Sequence, residues 1–264
     1  RRRRRPSPQG SELLIAARSR KWPLRIIALG GMNEIGKNCY VIEYEDDMLV
    51  VDAGLAFPEE EMLGVDVVIP DFTYLKENRH RLRAVLLTHG HEDHVGGLPY
   101  LLREVQVPVY ATGLTLGLVR HKLKEYGLEL HPDSRVIDPG RWLEIGRFRV
   151  LPYLVTHSIP DSVGFGVETP VGTVVYTGDY KFDQTPVDGR PADYAALAEL
   201  GRRGVLVMLG DSTNADRPGV TPSERSVGAA IAEVIARASG RVLVATFASN
   251  VHRIQQVIDA SARY

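Results

Sequence analysis

The stretch that decides the fold is AVLLTHGHEDH, residues 84–94. Its first five residues are apolar and β-rich, which predicts a buried strand, and a helix is predicted to follow from about His94. In a tight loop at the end of a strand, His89 and His91 can point to one side and chelate a metal ion. Asp93 and His94 can then project toward a second ion nearby. The alternative, a polar loop with incidental histidines, does not explain so many ligand-type side chains within six positions.

The rest of the chain predicts an α/β fold in two parts. A β-rich first part ends near residue 210, and beyond it helices and strands alternate, as in βαβ units. The predicted strands cover residues 24–29, 38–43, 48–51, 84–88, 107–111, 142–145, 148–156, 164–168, 173–176, 205–209 and 241–247. The predicted helices cover residues 72–81, 114–126, 192–203, 223–238 and 250–260.

Three further polar residues stand at the ends of predicted strands. His157 and Asp179 can complete a metal site, with the Asp179 carboxylate bridging two cations. Taken alone, each is more typical of a capping histidine or a turn aspartate, but the ligand cluster at residues 89–94 favours the metal site. Asp52 is predicted to hold the histidine loop by hydrogen bonds, as acids behind metal ligands commonly do.

Composition limits the classes of protein. The 264 residues include a single cysteine, Cys39, which excludes an internal disulfide and a cysteine-rich metal site. No apolar run reaches the roughly 18–20 residues of a membrane helix, and no signal-peptide core is present, so we expect a cytoplasmic protein that does not contact membranes. Residues 1–21 carry a net charge of +7, against −8 for the remainder. This basic arm is either a solvated, disordered tail or a contact for nucleic-acid phosphates.

The ligand pattern resembles the metallo-β-lactamase superfamily in order and spacing, and most closely the ribonuclease J group of β-CASP nucleases. The resemblance runs from about residue 24 to the end of the chain. It includes GGMNEIGKN at residues 30–38, DAGLAFP at 52–58, VIPD at 68–71 and FASN at 247–250.

The resemblance implies a two-metal centre and a particular fold. His89, His91 and His157 would bind one divalent ion, Asp93 and His94 the other, and Asp179 both; the ions would be Zn²⁺ or Mn²⁺. The fold would be a metallo-β-lactamase αββα sandwich over residues 24–210, preceded by the basic arm at 1–23. Residues 211–264 would begin an incomplete β-CASP domain. A further histidine ligand and later β-CASP motifs are not found in this sequence, so we expect a truncated chain.

Three other assignments follow from the resemblance. Asp211 matches an acidic position near the metal centre and joins Asp93 as a candidate for proton transfer, although it can equally be a turn aspartate. The residues Phe247, Ala248, Ser249 and Asn250 can bind a substrate phosphate at a helix start, or simply cap that helix. Asp66 lies in a turn that resembles a structural calcium site.

The implied function is metal-dependent hydrolysis of RNA, as a 5′→3′ exonuclease with endonuclease activity in RNA maturation and decay. The implied partner is RNA with a 5′ monophosphate, and the intact parent protein would be a homo-oligomer. Two alternatives stay open: a small-molecule hydrolase on the same scaffold, such as a thioesterase or lactonase, and a non-catalytic RNA-binding fragment.

Overall fold

Strands close in sequence build two β-sheets, one for each half of the first 210 residues. The computed structural model describes residues 23–264, so the predicted arm at 1–23 lies outside the described residues apart from Pro23. The first sheet has the order β1-β2-β3-β4-β5-β6. Its strands are Arg25–Gly30, Cys39–Tyr44, Asp47–Val51, Leu82–Leu86, Val109–Ala111 and Arg135–Val136. The pairs β1–β2 and β2–β3 are antiparallel, and the pairs from β3 to β6 are parallel.

The second sheet has the order β11-β10-β9-β8-β7. Its strands, from β7 to β11, are Leu143–Ile145, Phe148–Leu154, Val163–Thr169, Gly172–Tyr176 and Val205–Leu209. The four strands from β7 to β10 form an antiparallel meander, and β11 adds to β10 in parallel. Because a parallel neighbour needs a crossover connection, a helix stands between β10 and β11.

Alternating side chains divide the first sheet between two hydrophobic cores. In β2, Tyr40 and Ile42 join Phe148 and Phe165 of the second sheet in the core between the sheets, whereas Val41 belongs to the core on the opposite face. This is the two-residue period of a strand that is buried on both sides.

Helices cover the outer face of each sheet. Leu101 from α3 (Leu98–Glu104) and Leu116 from α4 (Gly113–Glu125) belong to the outer core of the first sheet, and Leu200 from α5 (Tyr194–Arg203) belongs to that of the second. The layers therefore run helix, sheet, sheet, helix, which confirms the predicted αββα sandwich.

Two predicted helices differ from the observed ones. The helix expected over residues 72–81 is α1 (Thr73–Glu77) followed by a single 3₁₀ turn, Arg79–Arg81. The helix after the histidine loop, α2 (Glu92–Val95), begins two residues earlier than predicted. Consequently Asp93 and His94 both lie in its first turn.

The strand predicted over residues 241–247 is wrong. This segment has no assigned strand, and Leu243 and Phe247 are 87% and 85% exposed. Its apolar composition favours a strand, but a strand needs a neighbour to satisfy its backbone groups. Among the residues that the structure describes, β11 is paired only with β10, and no strand pairs with 241–247.

The segment after residue 210 is held together by a helix pair, α6 (Glu224–Arg237) and α7 (Val251–Arg263). Arg253 binds both carboxylate oxygens of Glu224, at 2.8 and 3.0 Å. Gly228 allows close approach, since a Cβ there would lie 2.8 Å from Cδ of Gln256. The pair joins the sandwich through the Ser223 hydroxyl, which donates to Asp183 at 2.9 Å.

Candidate metal centre

The candidate ligands meet because the strands that carry them end at one edge of the sandwich. Parallel neighbours present their carboxyl ends at the same edge of a sheet, so Asp52 after β3 lies beside the histidine loop after β4. In the second sheet, β8 and β10 are both antiparallel to β9, so they run in the same direction. They bring His157 and Asp179 to the same place.

Three imidazole nitrogens converge in the first group of candidate ligands. His91 Nδ1 lies 3.0 Å from His89 Nε2 and 3.1 Å from His157 Nε2. Nitrogens that share a tetrahedral Zn²⁺ at about 2.0–2.1 Å are themselves about 3.3 Å apart, so this spacing is close to that of a ligand set. Such lone pairs repel one another unless a proton or a cation lies between them.

A second group shares His89 with the first and adds His94 and Asp179. His94 Nε2 lies 3.3 Å from Asp179 Oδ1, while Asp179 Oδ2 lies 3.7 Å from His157 Nε2. One carboxylate thus faces a histidine from each group. Asp93 approaches the second group through Oδ2, 3.5 Å from His94 Nε2.

Asp52 orients the histidines from behind. This buried residue has a left-handed φ of 61°, and its carboxylate accepts the Thr88 N–H at 2.8 Å and lies 2.8 Å from His94 Nδ1. A proton on Nδ1 of His94 satisfies that contact and leaves Nε2 as the nitrogen facing Asp179.

Thr88 extends the same arrangement to His89. Its hydroxyl donates to Asp52, at 2.9 Å from Oδ2, and lies 3.0 Å from His89 Nδ1. When the hydroxyl accepts a hydrogen bond from Nδ1–H, the lone pair of His89 is on Nε2, the atom that lies beside His91.

Asn38, like Thr88, contacts the candidate ligands although the sequence did not identify it as a site residue. Its backbone N–H donates to the Asp93 carbonyl at 3.0 Å, and its side-chain amide lies 3.2 Å from both that carbonyl and His94 Nε2. The only signal in the sequence was its place in the motif at residues 30–38, because the contact joins loops 55 residues apart.

Glycines allow the loops to approach this closely. A Cβ on Gly54 would lie 1.6 Å from the Asp93 carbonyl oxygen, so the 52–54 turn and α2 can meet only with glycine there. A Cβ on Gly90 would instead meet Leu118 at 2.6 Å, which shows that its neighbour is α4 rather than the imidazoles.

Burial and charge set the protonation of the candidate ligands. Burial lowers the pKa of His157 to about 4, and burial next to other imidazoles also lowers the pKa values of His89 and His91. For Asp179, burial opposes ionisation, but the hydrogen bond and charge of His94 outweigh it and lower the pKa to about 2. Neutral imidazoles and an ionised carboxylate are the forms that bind metal ions.

His94 differs from the other three histidines. Burial favours its neutral form, but Asp52, Asp179 and Asp93 together raise its pKa well above the usual value. Carboxylates lie on both sides of this ring, with Asp52 at Nδ1 and Asp93 and Asp179 at Nε2.

An open cleft of about 470 Å³ adjoins the candidate ligands. Its walls include Asp93, Asp179, the loop at residues 31–36 and the segment 208–213. Asp211 is in this second segment, where its carboxylate accepts the Thr213 N–H at 2.8 Å, so it faces the same cleft as the candidate ligands.

Two other predicted sites lie apart from this cleft. None of the residues Phe247, Ala248, Ser249 and Asn250 lines it, and the Asn250 side chain caps α7 by accepting the Arg253 N–H at 3.3 Å. Asp66 is exposed, and among residues 23–264 it belongs to no group of three converging acidic, histidine or cysteine side chains.

No helix between residues 23 and 264 combines the length and the apolar character needed to cross a membrane.

Comparison with known proteins places the chain in a family. Residues 32–232 match the model of the metallo-β-lactamase superfamily. A solved structure of a protein of unknown function from Enterococcus faecalis V583 has the same fold, with a TM-score of 0.66 at 18% identity, over 89% of this chain and 63% of that one.

Curated relatives are similar over a longer stretch. Ribonuclease J of Thermus thermophilus is 51% identical and ribonuclease J2 of Bacillus subtilis 52% identical, each over 91% of this chain and 43% of the relative. The chain thus spans about two fifths of the length of these relatives. The family model, which covers most of the chain, and the histidine-rich edge of the sandwich agree: the chain belongs to the metallo-β-lactamase superfamily.

Proposed function

We propose that this chain carries the metal centre of a ribonuclease that hydrolyses RNA phosphodiester bonds. The proposal is based on two overlapping groups of candidate ligands at the edge of an open cleft. The groups share His89, and the Asp179 carboxylate faces one histidine of each group. The names of the relatives, ribonuclease J and J2, support RNA as the substrate.

The donor set fits two divalent cations. Four histidines and two carboxylates suit Zn²⁺ or Mn²⁺. Asn38 holds the backbone of Asp93, and Thr88 and Asp52 orient His89 and His94 through their Nδ1 atoms. When bound, such ions neutralise charge on phosphoryl oxygens and make water more acidic.

The chain's own groups supply orientation and proton transfer. Asp52 and Thr88 keep the ligating nitrogens of His94 and His89 turned toward the cleft. Asp93 and Asp211 both line the cleft, and either carboxylate can pass a proton toward the leaving 3′ oxygen. The left-handed backbone of Asp52 and the absence of a side chain at Gly54 keep the ligand loops in register.

The finer features of the proposal come from the family resemblance. They are 5′→3′ exonucleolytic and endonucleolytic cleavage of 5′-monophosphorylated RNA in the cytoplasm, and a homo-oligomeric parent protein. We also propose domains over residues 24–210 and 211–264, phosphate contacts from residues 247–250, and a calcium ion at Asp66.

Metal content and RNA cleavage test this proposal together. Elemental analysis is expected to find two Zn²⁺ or Mn²⁺ ions per chain, and the loaded protein to cleave a 5′-monophosphorylated RNA oligonucleotide. His89→Ala removes the one residue that both ligand groups share, and we expect it to abolish cleavage. The control is His121→Ala, because this histidine is exposed on α4.

Three outcomes would contradict the proposal in different ways. Metal-loaded protein that hydrolyses a thioester or lactone but not RNA would favour a small-molecule hydrolase. Protein that binds RNA but takes up no metal ions would favour a non-catalytic RNA-binding fragment. Equal cleavage by the His89 and His121 variants would show that the ligand assignment is wrong.

A further inference from the structure

The cleft beside the metal centre has an apolar rim. Met32 and Ile35 on the loop at residues 31–36 are 61% and 86% exposed, and Met208 at the end of β11 is 64% exposed. All three side chains line the cleft that Asp93 and Asp179 also line. Clustered apolar side chains beside a polar centre typically mark a place where a ligand binds.

The loop that carries two of these side chains is internally braced. The Gly31 N–H donates to Glu34 Oε1 at 3.0 Å, and the Gly31 carbonyl accepts the Tyr40 hydroxyl at 3.1 Å. Glu34 also pairs with Lys37 at 3.1 Å, and Asn33 has a left-handed φ of 56°. These contacts fix the backbone of the loop in the conformation that exposes Met32 and Ile35.

The charges around the cleft indicate what the rim must supply. Its lining includes the acids Glu34, Asp93, Asp179 and Asp211, and no lysine or arginine lines it among the described residues. Among the described lining residues a phosphodiester therefore meets no lysine or arginine, so its charge would be balanced by bound cations, with neutral donors such as Asn38 and Ser212 beside them. The exposed apolar side chains of the rim offer further affinity through the uncharged parts of a nucleotide.

We propose that Met32, Ile35 and Met208 form a nucleobase subsite, which packs against the base of a nucleotide whose phosphate lies at the metal centre. This inference rests on the proposed function, since it requires a phosphate bound at the metal centre that His89 and His94 help to form. Methionine suits the role because its flexible, polarisable thioether packs favourably on aromatic rings of different shape. The cleft of about 470 Å³ is within the usual range of small-molecule sites, about 300–1,000 Å³.

Methionine methyl signals test this subsite without relying on catalysis. The chain has four methionines, of which Met32 and Met208 line the cleft, Met62 is exposed elsewhere and Met48 is buried. The experiment adds adenosine 5′-monophosphate, or ribose 5-phosphate, to Zn²⁺-loaded protein with ¹³C-labelled methionine methyls. Imidazole signals of the histidines report phosphate binding at the metal centre in the same sample.

The result expected is a ring-current shift of the Met32 and Met208 methyls with adenosine 5′-monophosphate only, while both compounds move the imidazole signals. Imidazole shifts without those methyl shifts would overturn the subsite and leave the proposed function standing. No imidazole shift with either compound would overturn both. Equal shifts at all four methionines would mean nonspecific binding and would also overturn the subsite.

A pair of variants gives an independent measurement. We expect Met32→Ala with Ile35→Ala to weaken binding of adenosine 5′-monophosphate by about twofold to tenfold and to leave ribose 5-phosphate unaffected. The matched control is Met62→Ala with Val220→Ala, which also truncates an exposed methionine and an exposed aliphatic side chain. Equal effects of the two double variants, or equal effects on the two compounds, would contradict the proposal.

Discussion

Two segments of similar apolar composition differ in burial in the described part of the chain: one lies inside a sheet and the other is exposed. Residues 84–88 and 241–247 are both predicted as strands, yet Leu86 in the first is fully buried in a six-stranded sheet and Leu243 in the second is 87% exposed. The first has β3 and β5 on its two sides, whereas the second pairs with no strand of the described chain. Local composition indicates that a segment can be a strand, and only its neighbours decide whether it is one.

Truncating the leucine in each segment should give the largest difference. Leu86→Ala leaves a cavity between two sheets, so we expect a loss of about 2–5 kcal/mol in the free energy of unfolding. Leu243→Ala removes atoms that already contact water, so we expect a change within about 0.5 kcal/mol. Urea unfolding followed by circular dichroism measures both. Similar losses for the two variants would mean that residues 241–247 are buried in solution.

The aspartates that follow two strands give a second, smaller contrast. Asp52 is buried against Thr88 and His94, whereas Asp211 is only partly buried and accepts a hydrogen bond from the Thr213 backbone N–H. Asp52→Asn should therefore weaken metal binding by about 10–100-fold, since a residue behind the ligands is altered. Asp211→Asn should leave metal affinity unchanged and lower only the rate of RNA cleavage. Isothermal titration calorimetry measures the Zn²⁺ affinity of each variant, and equal affinities would contradict the role of Asp52.

The acid sensitivity of the metal-free protein gives a third contrast, between the buried His157 and the exposed His121. Because the pKa of His157 is about 4 in the folded state and near 6.5 when unfolded, the unfolded chain binds more protons between these values. Stability should therefore fall as pH decreases from about 6.5 to about 4, and His157→Asn should flatten that dependence. Thermal unfolding in the presence of a chelator measures it. The exposed His121→Asn is the control, and identical slopes for both variants would contradict the assignment.

What the sequence predicts well in this protein is local or periodic. The alternation of β-rich runs and turns predicts most of the strands, and the family resemblance implies the sandwich that they form. The stretch at residues 84–94 places the histidines at the end of a strand because both signals lie within eleven positions. His157 and Asp179 could be proposed as partners because the ends of such strands tend to share one edge.

What the sequence did not reveal depends on contacts between distant loops. Asn38 reaches the centre through the Asp93 carbonyl, and Thr88 acts on His89 and Asp52 through one hydroxyl. Neither contact leaves a spacing pattern. The exposed segment at 241–247 fails for a related reason, since the presence of a pairing partner is a property of the whole fold.

The proposed metal centre requires the strand ends at one edge of the sandwich to hold two divalent cations. Anomalous diffraction from crystals of the Zn²⁺-loaded protein tests it most directly. We expect two zinc peaks, one bound by His91 and His157 and one by His94, with Asp179 within reach of both. A single peak, or peaks that none of these side chains contacts, would contradict it.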